Sequence, residues 1–213
     1  MSVLHVFDMD GTLLRGTTAS LEIAKALGCV DDLIQLEQAF GSGEMEARTF
    51  AKNVFRIWHT LTPEIVLDVV ANAPWIDGIR EVFADIRQRG EQSLVITMSP
   101  DFFANHLLSK GADMVRASSF PMMPFTGELD VEGILSPHDK VAIVQKALNE
   151  DPFQFAASVA YGDSSSDIPL FQSMRNTVSI NGDTNIESCA GACYRGEDLR
   201  EAYIIARTRY LAV

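Results

Sequence analysis

The chain has 213 residues, which suits one large or two small domains, since domains average roughly 100–200 residues. At 47% hydrophobic and 22% charged it has the composition of a soluble globular protein, which excludes a disordered, collagenous or disulfide-stapled chain. Its 17 basic residues against 29 acidic ones, a net charge of −12, exclude a sequence-independent grip on nucleic acid or anionic lipid, which needs Lys and Arg at the phosphates.

The first element in chain order is an apolar run over residues 3–7, read as a buried strand and stopped by Asp8-Met9-Asp10-Gly11. The run lacks the basic start of a signal peptide, and no stretch approaches the roughly 20 apolar residues of a membrane span. Helical periodicity then covers residues 18–27, 31–40, 45–59 and 62–72, with Pro63 directly after a Thr62 cap. These helices are expected either to cap the active edge of a sheet or to pack on one of its faces. A helix over 78–89 leads to a strand at 94–96, stopped by Thr97-Met98-Ser99-Pro100, and a helix over 101–110 follows. Residues 120–135, with Pro-Phe-Thr-Gly and Val-Glu-Gly, predict a hairpin or extended excursion. A helix over 138–149, a strand at 158–161 before Gly162-Asp163-Ser164, a helix over 167–174 and a strand at 177–180 complete the alternation. Strands separated by helices predict an α/β fold with a doubly wound, mainly parallel sheet, whose ligands bind beyond the carboxyl ends of the strands. Cys29, Cys189 and Cys193 lack zinc-ligand spacing, so reduced thiols and a cytoplasmic protein are expected. His5, inside the first strand, and His106, inside a helix, read as structural, and Met9 should pack into the sheet.

In extended backbone residues two apart face the same way, so Asp8 and Asp10 present two carboxylates on one side of a strand end. Such a pair repels unless a divalent cation or a shared proton relieves it. One could act as nucleophile and the other as general acid and base; two surface acids at a turn would look alike. Asp163 and Asp167 suit Mg²⁺, which favours oxygen ligands, although capping alone also selects an acid and hydroxyls at a helix start. Thr97 at a strand end and Lys140 in a first helical turn are commonplace individually.

Together these four segments resemble the motifs of the haloacid dehalogenase superfamily, in order and over essentially the full chain: Asp8-Met-Asp10-Gly-Thr, Thr97, Lys140, and Gly-Asp163-Ser-Ser-Ser-Asp167. The helical insert after the first motif and the Thr-Gly excursion before Lys140 look most like the phosphoserine phosphatase branch. The resemblance implies a core of residues 1–14 and 75–213 with a small helical cap at 15–74. It also implies Asp8 as nucleophile forming an aspartyl-phosphate and Asp10 as general acid and base. Mg²⁺ would be held by Asp8, the backbone carbonyl of Asp10 and Asp163, with Asp167 and Ser164 supporting. Thr97 and Lys140, with Met98 and Gly11, would meet the substrate phosphate. The implied activity is hydrolysis of a small phosphorylated metabolite. A phosphotransferase or mutase sharing the Asp8 intermediate and a non-catalytic phospho-switch module are the alternatives.

Phosphoserine phosphatases carry Ser-Gly-Gly at the second motif, and a Glu and an Arg for the amino acid head group. Here the matching positions hold Met98-Ser99-Pro100, Thr17 and Asn53, with Glu22 and Arg56 nearby, which argues against phosphoserine as substrate. Arg48, Lys52, Arg56 and His59 share one helical face. Turned into the cleft it would receive a second anionic group; turned outward it is an ordinary polar face. Phe55, Trp58 and Trp75 are candidates for the pocket wall or for the core.

Overall fold

A six-stranded, wholly parallel sheet is the centre of the computed structural model, which describes residues 2–150 and 155–211. The first strand, β1 (Val3–Phe7), precedes two short strands, β2 (Asp10–Gly11) and β3 (Leu14–Arg15), which pair with each other. Four helices follow: α1 (Ala19–Leu27), α2 (Val30–Gly41), α3 (Ala47–Ile57) and α4 (Pro63–Asn72). Then come α5 (Ile79–Gln88), β4 (Gln92–Pro100), the short α6 (Asp101–Ala104) and α7 (His106–Ser109), and β5 (Met114–Ser118). Next are α8 (Pro137–Glu150), β6 (Ala157–Gly162), α9 (Ile168–Ser173) and β7 (Thr177–Ile180). The last are α10 (Thr184–Cys189), β8 (Ala192–Tyr194) and α11 (Leu199–Tyr210). No helix among the described residues is long and apolar enough to cross a membrane.

The strand order β5-β4-β1-β6-β7-β8 winds outward from β1 in both directions, so β1 and β6 lie side by side where the winding reverses. This doubly wound arrangement opens a crevice beyond the carboxyl ends of those two strands. Both sheet faces are covered, which is why β1 reads as a continuous apolar run. Leu4 and Val6 pack with Val144 of α8, Leu170 of α9 and Ile186 of α10. On the opposite face the Phe7 ring stacks on Tyr161 at 4.4 Å and meets the edge of Phe83 from α5 at 5.5 Å. Met9, wholly buried, joins that second core.

The four early helices are locally well specified. Thr18 accepts the Leu21 N–H at the start of α1, and Gly28 ends that helix in the left-handed region. Thr62 accepts the Ile65 N–H at the start of α4, with Pro63 in the first turn. Leu33, Val54 and Trp58 from these helices belong to the same apolar core as Phe7 and Phe83. Against the sheet layer, α1 packs on β4 and α4 on α6.

Several elements differ from expectation. The single helix over 101–110 is two short ones, with a turn at Asn105. Of the hairpin or extended excursion expected over residues 120–135, no hairpin forms; the segment is an irregular excursion with turns and one short 3-10 turn, Val131–Gly133. Phe120 and Phe125 are drawn instead into an aromatic cluster with Phe55 of α3 and Phe102 of α6. β5, β8, α10 and α11 lie outside the expected elements. β5 and β8 are the two sheet edges, and their short, mixed sequences carry little period-two signal.

His5 is buried inside β1, with Nε2 3.0 Å from Glu91 Oε2 and Nδ1 3.1 Å from the Tyr161 hydroxyl. A carboxylate only accepts, so Nε2 carries the proton and Nδ1 accepts from Tyr161. Burial, opposed by Glu91, lowers the His5 pKa below its ordinary 6.5. The unfolded chain therefore takes up a proton below about pH 6.5 that the folded chain refuses, and stability is lost as pH falls through that value. Denaturant unfolding of the wild type and of His5→Gln checks this. The stability difference favouring the wild type should shrink from pH 7.5 to pH 5, and a constant difference would contradict it.

Candidate active site

Three chain segments converge at the crevice between β1 and β6. Asp8 follows β1 directly, and its backbone N–H donates to the Tyr161 carbonyl of β6 at 2.9 Å. Lys140 arrives from the first turn of α8, with Nζ 2.6 Å from Asp8 Oδ1 and 2.7 Å from Asp167 Oδ1. Asp167 closes the short turn Ser165–Asp167 before α9, and its Oδ2 accepts the N–H groups of Asp163 at 3.2 Å and Ser164 at 3.4 Å. Ser164 and Asp167 thus form a capping box. Asp163, just past β6, accepts from the Thr12 hydroxyl at 3.2 Å. Gly11 makes room for it: at φ 77°, a Cβ there would lie 2.0 Å from Asp163 Oδ2, so neither backbone nor space admits a side chain.

Asp10 faces the same cavity but is held differently. Its Oδ1 accepts the Ala19 N–H at the start of α1 at 2.6 Å, and its Oδ2 accepts from the Thr97 hydroxyl at 3.0 Å. The Asp10 carboxylate is therefore turned away from the cluster of Asp8, Asp163 and Asp167, whose ligand oxygens lie within 4.8 Å of one another. Burial raises the Asp10 pKa, and the Ala19, Ser99 and Thr97 donors oppose the rise. Burial and the neighbouring Asp167 raise Asp8 well above the ordinary carboxylate range, against the pull of Lys140. The same two causes push Asp163 up to about 7. Burial alone would depress the Lys140 ammonium, but Asp167 and Asp8 outweigh it and hold the group charged. Three carboxylates against one ammonium leave an excess of negative charge. That excess, with an all-oxygen donor set, fits a hard divalent cation.

The second motif falls differently from expectation. β4 runs on to Pro100, so Thr97 is not the strand-end hydroxyl. Thr97 is fully buried behind Asp10, to which it donates, while its oxygen accepts the Ser99 N–H at 3.0 Å. Ser99, two residues on, lines the cavity together with Met98 and Pro100. The period-two signal that pairs Asp8 with Asp10 also relates Thr97 to Ser99, but it could not say where the strand stops. Thr12 and Ser166 are two further site residues, which stand inside the first and fourth motifs but to which the sequence assigns no role; Ser166 Oγ lies 3.5 Å from Lys140 Nζ and 3.1 Å from Ser164 Oγ.

Above these groups lies a cavity of about 490 Å³, the size of a small-molecule site. Phe50, Ala51 and Val54 of α3, and Trp58 just after it, line it. Arg48, Lys52, Arg56 and His59 lie on the exposed face of that helical stretch, and Arg48 pairs with Glu132 at 2.9 Å. The basic face is thus turned outward. Phe55 and Trp75 pack elsewhere, against Phe125 and Phe103. Thr17 lines the cavity and donates to Glu22, which in turn pairs with Lys25.

Among curated proteins the chain is 24% identical over 200 residues to a phosphoserine phosphatase of Methanocaldococcus jannaschii, covering 93% of this chain and 94% of that one. Among solved structures, a substrate-bound phosphoserine phosphatase complex superposes with a TM-score of 0.80 at 20% identity, covering 96% of this chain and 98% of that one. A haloacid dehalogenase family hydrolase from Salmonella enterica serovar Typhi gives 0.81 at 16% identity, covering 94% of this chain and 70% of that one. These superpositions establish a shared fold. Membership rests on the family model for haloacid dehalogenase-like hydrolases, which matches residues 5–172 and so takes in the end of β1, the helical insert, Lys140 and the acidic cluster: the chain belongs to that family.

Proposed function

We propose that this hydrolase is a Mg²⁺-dependent phosphomonoesterase acting on a small phosphorylated metabolite. Residues 1–14 and 75–213 form the catalytic core, and residues 15–74 cap its crevice. The observation that supports this most directly is that two carboxylates of one cavity have opposite kinds of partner. Asp8 is met by the Lys140 ammonium at 2.6 Å, whereas Asp10 is met by the neutral donors Ala19, Thr97 and Ser99. Against burial and Asp167, Lys140 pulls Asp8 toward the ionised form, a pull that a bound cation would strengthen. Burial raises the Asp10 pKa so that it can hold a proton for transfer, the division of labour that acid–base catalysis requires.

In this mechanism a carboxylate oxygen of Asp8 attacks phosphorus as the ester oxygen departs, and Asp10 gives that oxygen its proton. The Asp8–phosphate bond is then broken by water, which yields its proton to Asp10 as inorganic phosphate and free Asp8 are formed. Lys140 and Ser99 hold phosphate oxygens at the floor, next to Gly11 and Met98, and Thr97 keeps Asp10 in place. Asp8, the Asp10 carbonyl and Asp163 would hold Mg²⁺, with Asp167 and Ser164 fixing the loop. There the cation would offset phosphate charge and let an anionic nucleophile approach.

Phosphate release from a panel of phosphomonoesters tests the reading. Release should require Mg²⁺ and fall about a thousandfold or more in Asp8→Asn. Transfer to an added alcohol without free phosphate would instead indicate a phosphotransferase.

Asp10→Asn should lower kcat by roughly 10²–10⁴-fold while leaving Mg²⁺ binding intact, because its carboxylate stands outside the acidic cluster. Loss of Mg²⁺ binding in that variant would contradict the assignment.

Mg²⁺ at 100 times its Kd should stabilise the folded protein by about 2.7 kcal/mol, a rise in Tm of roughly 5–10 °C. Thermal unfolding with and without the ion measures this, and the shift should vanish in Asp163→Asn.

A further inference from the structure

The cavity wall opposite the acidic floor comes from helices α1 to α3, and its composition restricts the organic half of the substrate. Leu21, Phe40, Phe50, Ala51, Val54 and Trp58 make it apolar, with the Phe40 and Phe50 rings 5.2 Å apart. Lys140 supplies the sole ammonium among the lining residues and lies against Asp8 and Asp167; there is no arginine among them. The cations of the α3 stretch, Arg48, Lys52, Arg56 and His59, are exposed on its other face. A carboxylate on the leaving group would therefore enter a largely apolar enclosure with no free cation to pair it, only neutral hydroxyls such as Ser20, which is unfavourable.

One charged side chain interrupts the apolar wall. Glu37 of α2 lines the cavity, half-buried, and accepts from the Thr18 hydroxyl at 3.1 Å. Thr18 also caps α1, whose first N–H, from Ala19, is held by Asp10. Glu37 is thus tied through two adjacent residues to the carboxylate beside the departing oxygen, and the two acids interact electrostatically. With one donor already used on it, Glu37 keeps free acceptor capacity toward the cavity.

Building on the phosphatase reading, we infer that the substrate is the phosphate ester of an apolar alcohol bearing one hydrogen-bond donor, an amine or hydroxyl, near the ester oxygen. Glu37 receives that donor, the aromatic and aliphatic wall receives the body, and esters carrying a carboxylate are refused.

The test compares kcat/KM for 2-amino-3-phenylpropyl phosphate, 3-phenylpropyl phosphate and phosphoserine on the Mg²⁺-loaded full chain. The amine-bearing apolar ester should lead its amine-free analogue by about tenfold, and phosphoserine should trail both by at least that much. Glu37→Gln should pull the ratio between the two apolar esters toward one, chiefly through KM. Val54→Arg, which puts a cation on the wall, should shift preference toward phosphoserine. Circular dichroism and Mg²⁺ binding establish that each variant is folded. If phosphoserine is turned over as well as the apolar esters, or if Glu37→Gln leaves the ratio unchanged, the inference is overturned while the phosphatase reading stands. If no ester is hydrolysed, both fall.

Discussion

The contact on which the site depends is the buried ammonium of Lys140, set between Asp8 and Asp167 with almost no exposure to solvent. Taking such charges out of water is costly, and each is tolerable only because the others are close and hydrogen-bonded. The cluster ties the end of β1, the start of α8 and the loop after β6 into one unit, so strand register and catalytic geometry cannot vary independently. The compensation is incomplete by design, since Asp163 adds a third carboxylate that Lys140 does not reach by hydrogen bond. A cluster left short of positive charge, built wholly of carboxylate oxygens, fits a hard divalent cation.

The sheet explains why these residues meet. β1 and β6 are neighbours at the reversal of winding, so the residues that follow them, Asp8 and Asp163, emerge side by side although they are far apart in sequence. Gly11 is the steric condition for that closeness, because its missing side chain leaves the volume that the Asp163 carboxylate occupies. Asp10 belongs to a different unit, being fixed by the first N–H of α1 and by Thr97. In the proposed mechanism, the proton-carrying position is therefore coupled to the helical insert, whereas the nucleophile position is coupled to the sheet.

Much of this was legible in the sequence wherever the signal was local. Asp8, Asp10 and Asp163 stand at the ends of apolar runs, and period-two facing is enough to place them at a sheet edge. The Thr62 cap likewise located α4, and apolar periodicity located α1, each within a residue. What failed depended on partners distant in the chain. The end of β4 is decided by pairing with β5, down to Pro100 opposite Ser118, and this moves the edge hydroxyl from Thr97 to Ser99. Residues 120–135 carry turn signals that fit a hairpin, but Phe120 and Phe125 bury their rings beside Phe55. Lys140 looked like any solvated lysine because nothing near it in sequence reveals the two carboxylates waiting at its tip.

α3 shows most clearly why chemistry and selectivity were unequally readable. Its periodicity separates a basic face from an apolar one, yet periodicity alone cannot say which face meets the cavity. Burial decides it: Ala51, Val54 and Trp58 are withdrawn from solvent, while Arg48, Lys52 and Arg56 are exposed. The reason is the free energy of the interface between insert and sheet. Trp58 and Val54 extend the same core that holds Phe7 and Phe83, and turning the basic face inward would exchange that apolar burial for unpaired cations. The orientation that stabilises the fold is therefore the one that leaves the upper cavity without a second anion-binding group. On the proposed reading, folding and substrate selection impose a single constraint on α3, one that the acidic cluster at the sheet edge does not share.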